Sequence, residues 1–336
     1  MVLVFTNKED VHPTPVIGSL RKQGVPVFRF NTEALLTDYR FCWWNNDCGC
    51  GFQLENNQNG CVINNENLTA VWDRRPETPK ELPVESSEEI NRYNRDEAYG
   101  FLRFLRYYLY RVPSIGSIAC DGIAESKMLQ LDIARSVGLK TPVTCFSNCK
   151  QDILEFASRY KYIALKVIES DSIYNVKENS QHVFYTQRVL SSSLKEIPEE
   201  AFYQTVSFAQ EYVPKAFELR VTVVCDNVFA CKIDSQCQAE ETGQIDWRQG
   251  YEYGLKHEIY KLPKDVSNCC LRYLKQLRLN FGCFDFIVTP TGEYVFVECN
   301  PNGQWLWIEN ATGMEISKAI ADALQHPEKL TNNSWE

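Results

Sequence analysis

Apolar residues in this chain fall into short runs that alternate between strand and helix spacing. Val2-Leu3-Val4-Phe5 is a strand-length run, a helical stretch follows over 15–24, and Val25-Pro26-Val27-Phe28-Arg29-Phe30 reads as a second strand. Strand, helix and strand in that order are the start of an α/β layer. Tyr39-Arg40-Phe41-Cys42-Trp43-Trp44 and Gly60-Cys61-Val62-Ile63 predict antiparallel strands. Val71-Trp72-Asp73-Arg74-Arg75-Pro76 predicts another, ended by proline. Residues 77–90, rich in Pro, Glu and Ser, read as a loop. A helix is predicted over 91–111, with Tyr93, Ala98, Phe101, Leu102, Leu105 and Leu109 on one broad apolar side. Arg92, Arg95, Arg103, Arg106 and Arg111 decorate it, either as a solvated face or as a dock for a peptide or acidic segment.

Further on, a helix over Ser126–Val137 stops at Gly138-Leu139-Lys140-Thr141-Pro142. Another helix near 150–160 leads into the apolar strand Tyr162–Ile168, and the polar, glycine-free segment Glu169–Gln181 follows. Strands are predicted at 206–213, 218–224 and 228–234, helices at 265–279 and 315–325, and a hairpin lies between those two helices. The texture divides the chain into three stretches, 1–115, 116–205 and 206–336.

The hairpin carries the strongest chemical signal. Gly282–Val288 and Tyr294–Pro301 fold about Pro290-Thr291-Gly292-Glu293. Symmetry about Thr291/Gly292 sets Asp285 opposite Glu298, and Asn300, two residues on, shares the face of Glu298. Two carboxylates brought together repel unless a cation or a shared proton intervenes. Hard oxygen donors of this kind suit Mg²⁺. Lys166 places a charge in an otherwise apolar strand, so it meets a phosphate or carboxylate, or snorkels from a strand edge. Glu218 and Arg220 share a face of their strand, placed either to hold a ribose hydroxyl and a phosphate or to form a solvent-side ion pair.

Composition narrows the partners. The 336 residues are 44% apolar and 24% charged, which is ordinary for a globular protein with two or three domains. A formal charge of −9 argues against nucleic acid or an anionic membrane as partner. No apolar run reaches membrane-spanning length and no signal peptide is apparent, so the expected setting is cytoplasmic. The 14 cysteines are then expected to be free thiols, since Cys48, Cys50 and Cys61 lack the paired spacing of a zinc site.

In order along the chain stand Trp72-Asp73-Arg74-Arg75-Pro76, Ser126-Lys127, Lys166, Gln210-Glu211-Tyr212-Val213, Glu218-Leu219-Arg220, Asp246-Trp247-Arg248, Phe284-Asp285-Phe286 and Glu298-Cys299-Asn300-Pro301-Asn302-Gly303-Gln304-Trp305. Over most of the chain this series resembles the ATP-grasp superfamily of carboxylate–amine ligases. It is most similar to the peptide ligases that make microviridins and related graspetides. The resemblance implies an N-terminal α/β domain (1–115) followed by two α+β subdomains (116–205 and 206–336) that hold ATP between them. It implies Lys127 and Lys166 on the ATP phosphates, with adenine at the hinge Gln210-Glu211-Tyr212-Val213 and the ribose near Lys215 or Glu218. Asp285, Glu298 and Asn300 would hold Mg²⁺, two ions being usual. Arg220 and the Asp246/Arg248 pair would act at the transferring phosphoryl group or the substrate carboxylate. Where many relatives cover the phosphates with a glycine-rich loop, Glu169–Lys177 has no glycine.

The activity so implied is closure of ω-ester or ω-amide rings in a precursor peptide with leader and core segments, through an acyl phosphate. The central stretch and the 91–111 helix are candidate leader sites, and subunit pairing into a homodimer is common in that family. Two alternatives stand beside it: a RimK-like ligase adding free amino acids, and a non-catalytic nucleotide sensor.

Overall fold

The structure, a computed structural model, describes residues 1–336 apart from 48, 85, 170–171, 176–179, 238–240, 250–254 and 331–336. The chain opens with β1 (Val2–Thr6), α1 (Pro13–Lys22), β2 (Val27–Asn31), α2 (Leu35–Asp38), β3 (Tyr39–Asn46), β4 (Gly49–Asn56), β5 (Val62–Asn64), β6 (Ala70–Asp73), α3 (Glu88–Tyr108) and β7 (Ser114–Ile115). β2, β1, β6 and β7 form a parallel sheet in that order. Every residue of β1 is buried, as a strand covered on both faces requires. One face packs under α3 and the antiparallel β3-β4-β5 sheet.

The next stretch holds α4 (Ile118–Ala124), α5 (Lys127–Ser136), β8 (Thr144–Ser147), α6 (Lys150–Ala157), β9 (Tyr162–Lys166), β10 (Ser172–Asn175), β11 (Ser180–Val183), β12 (Gln187–Leu190), α7 (Glu199–Tyr203) and β13 (Ser207–Glu211). β12-β9-β13-β8 is an antiparallel sheet backed by α6 and α7, with β10 and β11 forming a separate ribbon. The last stretch holds β14 (Phe217–Val224), β15 (Asn227–Ile233), α8 (Glu241–Ile245), β16 (His257–Ile259), α9 (Lys264–Gln276), β17 (Phe281–Val288), β18 (Tyr294–Asn300), α10 (Leu306–Thr312) and α11 (Ile316–Gln325). Its antiparallel sheet runs β16-β15-β14-β17-β18, with α5 and α9 packed on one face through Ala134, Tyr273, Phe284 and Phe296. α11 and Trp305 join this sheet to α1, β1 and Trp72 in a shared core.

Several expectations need correction. The helix assigned to 91–111 starts at Glu88, where Ser87 caps it by accepting from the Ile90 N–H, and its α-helical part ends at Tyr108. Tyr93 is not on its buried side but 64% exposed. β4 runs through a Gly/Asn-rich stretch that gave no strand signal, pairing with β3 from Tyr39/Asn56 to Asn46/Gly49. The polar segment after β9 contains the β10–β11 ribbon, and α4 and α10 were not anticipated. The thirteen described cysteines are all free. No helix among the described residues is long and apolar enough to cross a membrane.

Candidate active site

The hairpin β17–β18 does set Asp285 opposite Glu298, but by a different route from simple symmetry. Near the turn the pairs are Val288/Tyr294, Ile287/Val295 and Phe286/Phe296, a register centred on Thr291 alone. Continued unchanged, it would put Val297 opposite Asp285. A bulge between Asp285 and Phe286 shifts the register by one residue, giving Asp285/Glu298 and Cys283/Asn300. β14 adds to the row, because Arg220 lies directly opposite Asp285 on the other side. Arg220, Asp285 and Glu298 thus stand side by side on three neighbouring strands.

Each carboxylate of the row has a cation. Arg220 Nη1 donates to Asp285 at 2.7 Å, and Lys127 Nζ, in the first turn of α5, donates to Glu298 at 2.5 Å. Lys127 is aimed there by Gln130, which accepts from the Cys299 N–H at 3.0 Å and donates to the Cys299 carbonyl at 2.8 Å. That side chain does the work of an extra strand along β18. It was invisible as a sequence signal, since its partner lies 169 residues away. Burial pushes the Asp285 carboxyl up, and Arg220 opposes this only in part. For Glu298, burial acts upward but Lys127 and Lys166 outweigh it, holding the carboxyl down at about 2. The pair therefore carries one firmly ionised carboxylate and one held less firmly so.

Facing this row across a cleft of about 840 Å³ is the inner side of β9 and β13. All fourteen side chains expected at a site line that cleft: Lys127, Lys166, Gln210, Glu211, Tyr212, Val213, Lys215, Glu218, Arg220, Asp246, Arg248, Asp285, Glu298 and Asn300. Lys166 is on an interior strand of its sheet, so the strand-edge alternative falls. Its ammonium lies 5.8 Å over the Phe208 ring and has no ion-pair or hydrogen-bond partner among the described residues. Burial draws its pKa down, and the nearby Glu298 charge resists. At the hinge, Glu211 is tied to Val143 by both backbone and side chain, the Val143 N–H donating to its carboxylate at 3.1 Å. Lys215 Nζ donates to Glu218 at 2.7 Å and to the Ile245 carbonyl at 2.6 Å. Glu218 and Arg220 are only 9% and 8% exposed, so they are not a solvent-side pair.

Asp246 and Arg248 form a two-pronged pair at 2.9 and 2.6 Å, and Asp246 also accepts from the Thr186 N–H at 3.2 Å. Burial raises the Asp246 carboxyl but the Arg248 hydrogen bonds win, holding it below the usual range. So placed, Asp246 orients Arg248 rather than taking up a proton. Of the six described cations lining the cleft, Lys127, Lys215, Arg220 and Arg248 have carboxylate partners, whereas Lys166 and Arg75 have none among the described residues, Arg75 donating only to the Asn302 carbonyl at 3.4 Å. Trp247 and Trp307, 5.3 Å apart, wall the Arg248 end. Among the described residues no three His, Cys, Asp or Glu side chains gather as a metal site. At Asp285 and Glu298 the third donor would be the Asn300 amide oxygen, a set of hard oxygens that suits Mg²⁺.

The turn after Asn300 is gripped from the N-terminal sheet, a feature the sequence reading did not assign. Arg74, 1% exposed, donates to the Asn302 and Gly303 carbonyls at 2.6 and 3.2 Å and lies 4.8 Å over Trp305. Burial pulls its guanidinium down to about 10, against the nearby Asp10 charge. Gly303 sits so close to Cys283 that a β-carbon would meet it at 2.3 Å. Asp121 accepts from Asn302 Nδ2 at 2.7 Å and from the Ser117 N–H at 3.2 Å. Burial, and then the Asp73 carboxylate, push the Asp121 carboxyl well above the usual range. An acid with a raised native pKa holds its proton longer when folded, so stability falls as pH rises from the unfolded pKa, about 4, through the native one. Asp121→Asn is therefore expected to raise the melting temperature at pH 8 and to flatten its fall with pH. Melts of both proteins from pH 4 to 9 check this.

Comparison with known proteins bears on the fold and the class of protein. Residues 1–111 match the family model described as the MvdD pre-ATP grasp domain. A Chryseobacterium gregarium RiPP-associated ATP-grasp ligase, solved in complex with ADP and a leader and core peptide, is 26% identical with a TM-score of 0.89. The match covers 99% of this chain and 98% of that one. The macrocyclase MdnC of Microcystis aeruginosa MRC, bound with precursor peptide MdnA, is 28% identical at TM-score 0.83, covering 97% of this chain and 99% of that one. Macrocyclase MdnB of the same organism is 28% identical at 0.75, covering 96% and 98%. No curated protein sequence matches the chain significantly. The fold is the ATP-grasp fold, and the chain is an ATP-grasp ligase. Within that class it resembles the ligases associated with ribosomally made, modified peptides.

Proposed function

We propose that the protein closes ω-ester or ω-amide rings in a ribosomally made precursor peptide at the expense of ATP. The observation that carries this is the unpaired Lys166 facing the Arg220–Asp285–Glu298 row across one cleft. ATP lies between the central (116–205) and C-terminal (206–336) subdomains, with adenine against Gln210-Glu211-Tyr212-Val213 and ribose near Lys215 and Glu218. Lys166 and Lys127 take the phosphates, Lys127 exchanging Glu298 for them. Asp285, Glu298 and Asn300 would hold Mg²⁺, which when bound neutralises charge on the phosphate oxygens.

An Asp or Glu carboxylate of the peptide attacks the γ-phosphorus, forming an acyl phosphate and releasing ADP. Arg220 and Arg248 hold the carboxylate and the transferring group in line, Arg248 being set by Asp246. A Ser or Thr hydroxyl or a Lys amine of the same peptide then attacks the acyl carbon, and inorganic phosphate leaves. The nucleophile comes with the substrate, so the protein needs to supply only position and charge. MdnC bound with its precursor peptide, and the Chryseobacterium ligase with leader and core peptide, support a peptide substrate.

The test is mass spectrometry of the cognate precursor after incubation with protein, ATP and Mg²⁺. Loss of one water per ring, absent without ATP, is the expected result. With free amino acids added to the mixture, a mass gain of one amino acid residue would instead support a RimK-like addition, and an unchanged cognate peptide would remove the ring-closing reading.

A further inference from the structure

Of the motif Trp72-Asp73-Arg74-Arg75-Pro76, the first three side chains are buried, whereas Arg75 is exposed and lines the cleft. Its guanidinium makes one long hydrogen bond, to the Asn302 carbonyl at 3.4 Å, and has no carboxylate partner among the described residues. The backbone that carries it is nevertheless fixed. Arg74 is locked onto the Asn302 and Gly303 carbonyls, and Asn7 Nδ2 donates to the Arg75 carbonyl at 3.0 Å. Pro76 narrows the backbone choice of the residue before it. A charge held in place yet left unmatched serves a ligand better than it serves the fold.

The strands show which ligand. Glu218, Arg220 and Thr222 alternate onto one face of β14, opposite Ile287, Asp285 and Cys283 of β17. Each step of two residues is roughly 7 Å. With ribose near Glu218 and phosphates at the Arg220–Asp285–Glu298 row, the nucleotide points along β14 toward Thr222 and Cys283. At that end the turn after Asn300 folds back over the sheet, Gly303 lying against Cys283 and Arg220. Arg75 reaches the same turn from the N-terminal sheet. An in-line displacement brings the attacking oxygen to the side of the γ-phosphorus away from ADP, which is this end of the cleft.

We infer that Arg75 receives the peptide carboxylate that attacks ATP, so that the N-terminal sheet supplies part of the substrate site. The inference rests on the ligase reading and deepens it. A guanidinium offers a carboxylate two parallel N–H donors. Arg220 and Arg248 already carry Asp285 and Asp246, whereas a carboxylate arriving at Arg75 displaces no ion pair. As one of its oxygens bonds to the γ-phosphorus, the bond from that phosphorus to the bridging oxygen breaks and ADP leaves with the electron pair. Arg75 keeps the other oxygen, which becomes the acyl carbonyl.

The test compares binding of the cognate precursor with that of a copy whose ring-forming Asp and Glu are changed to Asn and Gln. ADP and Mg²⁺ are present, so that no turnover occurs. Wild-type protein is expected to bind the acid form about tenfold or more tightly than the amide form. Arg75→Gln should bind both alike, and Arg75→Lys, with the charge but not the fork, should fall between. Both variants should melt as the wild type does, since the side chain is exposed. In turnover, Arg75→Gln should lower kcat/KM for the precursor by about the same factor and leave the KM for ATP unchanged. An acid preference that survives in Arg75→Gln, or a wild type indifferent to acid and amide, would overturn the inference. If the wild type closes rings in that case, the ligase reading stands without it. A wild type that closes no rings, yet loses its acid preference with Arg75, would remove ring closure and keep Arg75 as the carboxylate site.

Discussion

Glu298→Gln is expected to lower ATP-dependent turnover of the cognate precursor by about 10³-fold or more, while the protein stays folded. The substitution keeps the shape of the side chain and removes one charge from the Arg220–Asp285–Glu298 row. Lys127 loses its anion, but the Lys127–Glu298 pair is about a third exposed, with side chains at 28% and 37%. Pairs of that kind contribute at most about 1 kcal/mol, so melting should move by only a few degrees. The loss falls instead on charge balance in the phosphate region, where Glu298 is held ionised by Lys127 and Lys166. ADP release with cognate peptide, followed beside a thermal melt, is the check. Retention of more than about a tenth of wild-type turnover would contradict the role given to Glu298.

The second large effect belongs to a residue that never enters the cleft. Arg74→Met should destabilise the protein by on the order of 3–5 kcal/mol, the range for removing one partner from a buried charged network. The change strips hydrogen bonds from the Asn302 and Gly303 carbonyls and leaves Asp10 with His12 as its remaining cation-capable neighbour. Because the freed turn follows Asn300 directly and Gln304 accepts from Arg220, activity should fall in protein that is still folded. Urea unfolding with an unchanged slope, together with turnover well below the midpoint, measures both. Wild-type stability and turnover in Arg74→Met would show that the N-terminal sheet does not brace the site.

Much of this site could be read from the chain because its chemistry sits on regular strands. A two-residue period puts Glu218 with Arg220 and Asp285 with Cys283, and a turn with glycine marks the hairpin. The structure keeps the Asp285/Glu298 pairing but reaches it through a bulge, which no local residue preference announces. Strands without apolar alternation escaped notice, as β4 and the β10–β11 ribbon show. The outer side of α3 misled in a definite way. An aromatic residue at helical spacing reads as part of the core, whereas Tyr93 points away from it. Gln130 and Arg74 act on backbone far along the chain, and contacts of that range leave no spacing to detect.

The account turns on a peptide carboxylate becoming an acyl phosphate in the cleft between β9–β13 and β14–β17–β18. The direct measurement uses a precursor whose Asp and Glu carboxylates carry ¹⁸O, reacted with unlabelled ATP, and mass analysis of the inorganic phosphate released. One ¹⁸O per ring closed should appear in the phosphate, because the attacking carboxylate oxygen leaves with it. Ring closure accompanied by unlabelled phosphate would contradict the mechanism.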